Sequence, residues 1–238
     1  MRIDKLLTQL GLASRREAAQ LVQKGRLLVD GVRPKTAAQH VDPAKQTVTL
    51  DGQPLVYQPK LYLMLNKPQG VVSSTDEPGQ TTVLDLVEER HRRMEPFPCG
   101  RLDKNTLGLV LLTNDGPLAH RLLSPRHHVE KEYRYRVKFP LSPEDLRAWE
   151  EGVVLENGYR TQPCRVRATG PNEGFLILTE GKYHQIKEMA KAVHNQITFL
   201  QRIRFGPLLL GDLAEGQWRE LSPEEIALLQ QHAQGAEC

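Results

Sequence analysis

The apolar residues at the beginning of the chain repeat with helical spacing. Positions three, four and seven residues apart predict a first amphipathic helix on Ile3, Leu6, Leu7 and Leu10. Ser14 precedes Glu17 by three residues, which is the arrangement of a capping box and predicts the start of a second helix. Gly25 is placed to end that helix. The chain is therefore expected to begin with a pair of short helices.

Short strand-like stretches and tight turns follow the helical pair. Residues 26–29 and 47–50 are each followed by an Asp-Gly pair, which favours a two-residue turn. Two helices and a few β turns make a minimal independent unit. We predict a small domain at residues 1–55, a linker at 56–60 and a larger domain at 61–238.

The remainder of the chain is rich in predicted strands. Apolar runs predict them at residues 61–66, 109–113, 130–139, 164–168, 175–179 and 197–205. Helices are predicted at residues 82–89, 117–123 and 183–194 and after the caps Ser142 and Ser222. Asp115-Gly116 is interpreted as a hairpin turn. Because helices and strands do not alternate regularly, the sequence favours an α+β fold, with a mixed, largely antiparallel sheet and flanking helices.

The composition is that of an ordinary globular protein, with 39% hydrophobic and 26% charged residues. No apolar run is long enough to span a membrane, and the N-terminal residues lack the features of a secretory signal. Cys99, Cys164 and Cys238 are widely spaced and match no metal-ligand pattern. We therefore expect a cytoplasmic protein with no metal site and no membrane partner.

The positive charge is concentrated at the beginning of the chain. Residues 1–55 carry nine lysines and arginines against five acids, whereas the remaining residues carry 23 bases and 24 acids. A basic unit attached to a nearly neutral body is typical of a polyanion-binding attachment. A solvated charged surface would have the same composition, so charge alone leaves both interpretations open.

One acidic residue lies where it could carry chemistry. Asp103 ends the run Gly100-Arg101-Leu102-Asp103 and precedes a strongly apolar strand. A loop on such a rigid support can hold a carboxylate at the mouth of a cleft. The same spacing would also allow Asp103 to cap a turn with Thr106.

Several separated motifs resemble those of one enzyme family. Residues 100–116 are similar to the catalytic signature of the bacterial ribosomal pseudouridine synthases, and most similar to the branch that modifies small-subunit (16S) ribosomal RNA. Residues 2–31 resemble the alpha-L RNA-binding module, through Ser14-Arg15-Arg16 and Val29-Asp30-Gly31 among other positions. The resemblance covers roughly residues 1–232, in matching order. It implies an N-terminal alpha-L RNA-binding domain followed by a catalytic domain of the pseudouridine synthase fold.

The resemblance also implies roles for three side chains. Asp103 would be the nucleophile. Tyr133, in the Lys-x-Tyr strand of the motif at 124–133, would lie against the target base and is a candidate for proton transfer at C5. Lys187, in the motif at 180–189, would form an ion pair with the aspartate. Without the resemblance, the favoured interpretations are a half-buried strand residue for Tyr133 and a solvent-exposed helix lysine for Lys187.

The family reaction moves the ribose from nitrogen to carbon-5 of the uracil without redox change, so no cofactor is expected. The expected partner is ribosomal RNA or an assembly intermediate of a ribosomal subunit, and the chain is expected to be a monomer. The expected RNA-contact residues are Arg2, Lys5, Ser14, Arg15, Arg16, Arg26, Arg101 and Lys131. A synthase acting on 23S ribosomal or transfer RNA, or a non-catalytic RNA-binding protein of ribosome assembly, is the alternative.

Overall fold

The computed structural model describes residues 1–124 and 127–234. Pro125 and Arg126 of the 124–133 motif, and the third cysteine, Cys238, lie outside the described residues. The chain forms two compact units. One contains Met1–Leu61 together with Val87–Pro96, and the other contains Tyr62–Leu86 and the chain from Phe97 onward.

The first unit packs helices on a small antiparallel sheet. Its helices are α1 (Ile3–Gln9), α2 (Arg15–Gln23) and α3 (Glu89–Arg92), and its strands are β1 (Leu27–Val29), β2 (Val48–Leu50) and β3 (Gln53–Pro54), in the order β1-β2-β3. The predicted helical pair is confirmed, and the side chains of Ser14 and Glu17 form the predicted capping box. The apolar faces of α1, α2, β1 and β2 meet in one buried core.

Residues 87–96 belong to this first unit, although no sequence pattern indicated it. Arg93 forms ion pairs with Glu17 at 3.0 Å and with Glu89 at 2.7 Å. At the end of α1, Gly11 has a φ of +67°, and a Cβ there would lie 2.1 Å from the Arg90 carbonyl oxygen. Only glycine allows the backbones to approach this closely.

The second unit is built on a mixed sheet with helices packed against it. Its strands are β4 (Tyr62–Lys67), β5 (Phe97–Cys99), β6 (Leu107–Thr113), β7 (Lys131–Val137), β8 (Arg165–Gly170), β9 (Glu173–Leu178), β10 (Ile197–Phe205), β11 (Leu208–Leu209) and β12 (Trp218–Glu220). Its helices are α4 (Gly116–Leu123), α5 (Pro143–Glu151), α6 (Gln185–Ala192) and α7 (Pro223–Gln234). Within the described ranges, the strand order is β12-β4-β6-β10-β7-β9-β8, with β5 paired to β6 and β11 to β10.

The pairing of these strands agrees with the predicted fold class. Strands β6 and β10 run parallel, and the other described pairs of this sheet are antiparallel. Where β6 meets β10, Gly108 has a φ of +105°, and a Cβ there would lie 2.2 Å from the Arg202 carbonyl oxygen. Strand β4 is buried along its whole length. Its side chains join those of β6, α4 and α7 in the core.

Two local predictions are wrong. No α-helix spans residues 82–89, because Thr82 donates both its backbone N–H and its hydroxyl to Asp85 Oδ2 and fixes a turn instead. Asp115-Gly116 is not a hairpin turn. The Asp115 carboxylate accepts the Leu118 N–H and caps α4.

Among the described residues, no helix combines the length and the apolar character needed to cross a membrane.

Candidate active site

Asp103 lies in the loop between β5 and β6, on a firmly anchored backbone. The Ser73 hydroxyl is buried, donates to the Leu102 carbonyl oxygen at 2.9 Å and accepts the Leu102 N–H at 3.1 Å. The Thr106 N–H donates to the Asp103 carbonyl oxygen and closes the turn. The Asp103 side chain is only 25% exposed. The loop therefore holds a partly desolvated carboxylate in place, while that carboxylate remains reachable from outside.

The Asp103 carboxylate is in contact with two side chains of a single segment. Lys187 Nζ lies 2.5 Å from Asp103 Oδ2, and His184 Nε2 lies 3.6 Å from Oδ1. Lys187 is in the first turn of α6 and His184 is its N-cap residue. The charge-assisted contact with Lys187 restricts the orientation of the carboxylate.

The segment before α6 is fixed by Glu180. The Glu180 carboxylate accepts from the Tyr159 hydroxyl at 2.6 Å, the Gln162 N–H at 2.9 Å and the Gln185 side-chain amide at 2.6 Å. The Gln185 side chain in turn accepts the Lys182 N–H at 2.9 Å. These bonds determine where α6 begins and so place Lys187 beside the aspartate.

Tyr133 completes the lining of a small pocket with these residues. It lies on β7, opposite Arg202 on β10 and Leu176 on β9, and is 7% exposed. The pocket has a volume of about 70 Å³, and Asp103, Tyr133 and Lys187 all line it. The three predicted catalytic residues are thus brought together, from positions separated by 84 residues in the chain.

Sequence reasoning missed a buried lysine close to the aspartate. Lys67, at the end of β4, is fully buried, and its Nζ donates to the carbonyl oxygens of Pro68 at 2.9 Å and Lys104 at 3.1 Å. Burial lowers the pKa of Lys67 to about 8, and the negative charge of Asp103 opposes that shift. The bond to Lys104 ties the Asp103 loop to β4. The only signal in the sequence was a lysine at the end of an apolar strand.

The predicted RNA-contact residues of the first unit differ in their availability. Lys5, Arg15 and Arg16 are exposed. Arg2 pairs with its neighbour Asp4, and Arg26 pairs with Asp51, both at 2.6 Å. The Ser14 hydroxyl accepts the Glu17 N–H as a helix cap. Among the predicted contacts of this unit, Lys5, Arg15 and Arg16 are therefore exposed cations that lie outside these two ion pairs.

The two predicted contacts of the second unit lie close to the pocket. Arg101 is exposed and lines it. Lys131 is buried, and its Nζ donates to the Val129 carbonyl oxygen at 2.9 Å. Tyr183 was not predicted as a site residue, yet it is 81% exposed and stacks on His184 with 3.8 Å between ring centroids. The mouth of the site therefore presents cations together with an aromatic surface.

Within residues 1–124 and 127–234, no group of three or more histidines, cysteines, aspartates or glutamates is arranged to hold a metal ion.

Two family models match the chain. The model described as RNA pseudouridylate synthase matches residues 61–192, and the S4 domain model matches residues 1–46. The synthase model contains the Asp103 loop and α6.

Similar proteins cover nearly the whole chain. An RNA pseudouridine synthase of Bacillus subtilis, YtzG, is 48% identical over 96% of this chain and 98% of its own. The ribosomal small subunit pseudouridine synthases A of Yersinia pestis and Escherichia coli K12 are 42% and 41% identical over 95% of this chain, and over 97% and 99% of their own. A crystal structure of a pseudouridylate synthase superimposes with a TM-score of 0.68 at 31% identity, over 96% of this chain and 99% of that chain.

Proposed function

Because the chain belongs to the RNA pseudouridylate synthase family, we propose that it isomerises a uridine of small-subunit ribosomal RNA with Asp103 as the nucleophile. The observation that carries the residue assignment is the contact between Asp103 and Lys187 at the edge of a pocket that Tyr133 also lines. The relatives in Yersinia and Escherichia, named for the small ribosomal subunit, support the choice of RNA.

The reaction breaks the bond between ribose C1′ and uracil N1 and forms a bond between C1′ and C5. The proton that leaves C5 is balanced by one gained at N1, so no group is lost and no electrons are transferred. The attacking group is a carboxylate anion, and the contact with Lys187 holds the Asp103 carboxylate in a fixed orientation. Lys187 contacts Oδ2 of this carboxylate, and His184 Nε2 lies 3.6 Å from Oδ1.

Tyr133 is proposed to lie against the uracil. A uridine reaches the pocket only after leaving its stack, which costs a few kcal/mol. Stacking on an aromatic ring returns about 1–3 kcal/mol per base. We propose that RNA phosphates bind to Arg101 beside the pocket and to three exposed cations of the first unit, Lys5, Arg15 and Arg16. These contacts would supply further binding energy.

Asp103→Asn tests the nucleophile. The variant keeps the size of the side chain but cannot attack as an anion, so we expect RNA binding without tritium release from RNA labelled at uridine C5. Asp212→Asn, at an exposed position of the second unit, is the matched control and should release tritium at the wild-type rate. Turnover of Asp103→Asn above a few per cent of wild type would show that another group attacks.

The choice of RNA is tested in cells. Mapping the pseudouridines of ribosomal RNA in a strain that lacks this protein should reveal one missing site in the small-subunit RNA. A missing site in large-subunit or transfer RNA would overturn that assignment and leave the enzyme class intact. Comparing tritium release from naked RNA with release from assembling subunits would identify the form of the substrate.

A further inference from the structure

A second cavity adjoins the candidate active site. Its volume is about 430 Å³, and it shares Arg101, Tyr133 and Lys182 with the smaller pocket. Its remaining walls include Lys131 and Arg202, two cations that are 8% and 1% exposed. Charged side chains are rarely this buried unless they are paired.

Both buried cations are on the same face of the sheet as Tyr133. Tyr133 pairs with Arg202, and Lys131 pairs with Phe205. A register shift between Arg202 and Arg204 turns Arg202 and Phe205 to that one face. The Phe205 ring centroid accordingly lies 5.2 Å from Arg202 Cζ and 5.9 Å from Lys131 Nζ.

The acidic side chains next to these two cations in the sequence form ion pairs on the opposite face of the sheet. Arg204 binds Glu132 at 3.0 Å and Glu130 at 3.1 Å, and Arg165 binds Glu130 at 2.5 Å. Glu180 lines the cavity, but its carboxylate already accepts the three hydrogen bonds that fix the start of α6. Glu130 and Glu132 are therefore engaged elsewhere, whereas Glu180 acts on Lys131 from the wall of the cavity while its oxygens are held by those three bonds.

The two cations retain unused binding capacity. Arg202 Nε donates to the Leu109 carbonyl oxygen at 2.7 Å, whereas its Nη2 is buried and has no hydrogen-bond partner within the described ranges. Lys131 Nζ donates to the Val129 carbonyl oxygen. Burial raises the pKa of the Cys99 thiol to about 12, although the positive charges of both cations act to lower it. The thiol therefore stays neutral at physiological pH and supplies no countercharge.

We infer that this cavity binds a phosphodiester group of the RNA chain, next to the target uridine. An internal nucleoside of RNA has a phosphate on each side, and a cationic cavity that shares walls with the uridine pocket is within reach of a flanking phosphate. Arginine and lysine are the side chains that bind phosphate oxygens most strongly. The inference rests on the proposed function, but binding of the anion itself requires no turnover.

Inorganic phosphate is the first probe, used at pH 7 so that Lys131 is protonated, and at constant ionic strength against chloride. We expect phosphate to raise the unfolding midpoint of the wild-type protein and to bind at least 10-fold more weakly to Lys131→Gln. Lys138→Gln, which removes an exposed lysine just after β7, is the matched control and should behave like wild type. Because Arg202→Gln could fail to fold, Lys131→Gln is the deciding variant.

The second probe is RNA in which one phosphate at a time, beside the uridine, is replaced by a neutral methylphosphonate. One replacement should weaken binding to wild type about 10-fold and have little further effect on Lys131→Gln, as expected when two changes remove the same interaction. Equal losses in both proteins would overturn the RNA assignment, even if inorganic phosphate binds. Equal phosphate binding by wild type, Lys131→Gln and Lys138→Gln would overturn the site itself. Tritium release by the wild-type enzyme, in either case, would leave the proposed function standing.

Discussion

Replacing Lys187 with methionine removes the cation that contacts Asp103 while preserving most of the apolar stem. Two unit charges about 4 Å apart interact by about 4 kcal/mol at an effective dielectric constant of about 20. The two side chains are 29% and 25% exposed, so water entering the vacated space will recover part of this energy. We take about 2–3 kcal/mol as the loss of transition-state stabilisation, which corresponds to a rate about 30- to 150-fold lower.

The assay is single-turnover tritium release from uridine-labelled RNA, with RNA affinity measured separately. We expect the rate constant to fall by the stated factor and the dissociation constant to change by less than about threefold, because the lost cation orients the nucleophile more than it holds the RNA. Lys191→Met is the matched control. It removes a lysine one turn later on α6 that pairs with Glu188 at 2.7 Å on the surface, where an ion pair contributes little.

Two results would refute this reasoning. Equal losses for Lys187→Met and Lys191→Met would mean that the general charge of α6 matters and the contact with Asp103 does not. A loss confined to RNA affinity would make Lys187 a phosphate-binding residue.

Three further changes test other parts of the molecule. Gly108→Ala should lower the free energy of unfolding, measured in urea, by about 2–5 kcal/mol, because the new Cβ would lie 2.2 Å from a β10 carbonyl oxygen at a positive φ. Gly116→Ala is the control. It has open space around its Cβ and should change the free energy of unfolding by no more than about 1 kcal/mol. Burial raises the pKa of Tyr62 from 10.0 to about 12, assisted by its hydrogen bond to the carboxylate that caps α4. The stabilisation that comes from keeping this hydroxyl protonated is complete below pH 10 and is lost as the pH rises to 12. The free energy of unfolding of wild type should therefore fall faster over this interval than that of Tyr62→Phe. Parallel curves of unfolding free energy against pH would contradict the assignment. Changing Arg15 and Arg16 together to Gln should weaken RNA binding and reduce the salt slope by about 0.7–0.9 for each phosphate that the variant no longer neutralises, and an unchanged slope would place docking elsewhere.

The elements that the sequence predicted well are those with strong local signals. Helices α1 and α2 follow from apolar spacing and from a capping box that involves only Ser14 and Glu17. The prediction at residues 82–89 failed because two side chains of that same stretch, Thr82 and Asp85, satisfy the backbone in a turn. Very short strands such as β3, β11 and β12 were missed, because two or three residues carry no measurable periodicity.

Asp103 was a candidate from its loop alone, but its grouping with Tyr133 and Lys187 was predictable only through the family resemblance. Asp103 and Lys187 are 84 residues apart, and no spacing rule connects a loop aspartate with a helix lysine at that separation. Lys67 and Arg202 were missed for a related reason. A cation in an apolar strand is usually interpreted as a residue at a strand end or on a solvated face, and its burial depends on neighbours contributed by distant segments, such as the Leu109 carbonyl oxygen that binds Arg202.

Residues 87–96 pack with the first unit, and this affects how a chimera of this protein can be built. A chimera with a single crossover near residue 61 would bring a foreign RNA-binding unit but keep the native 87–96 segment. The backbone approach of Gly11 to Arg90 and the ion pair between Arg93 and Glu17 would then join residues from different parents. A functional exchange should therefore transfer residues 1–61 and 87–96 together, because both stretches build the first unit.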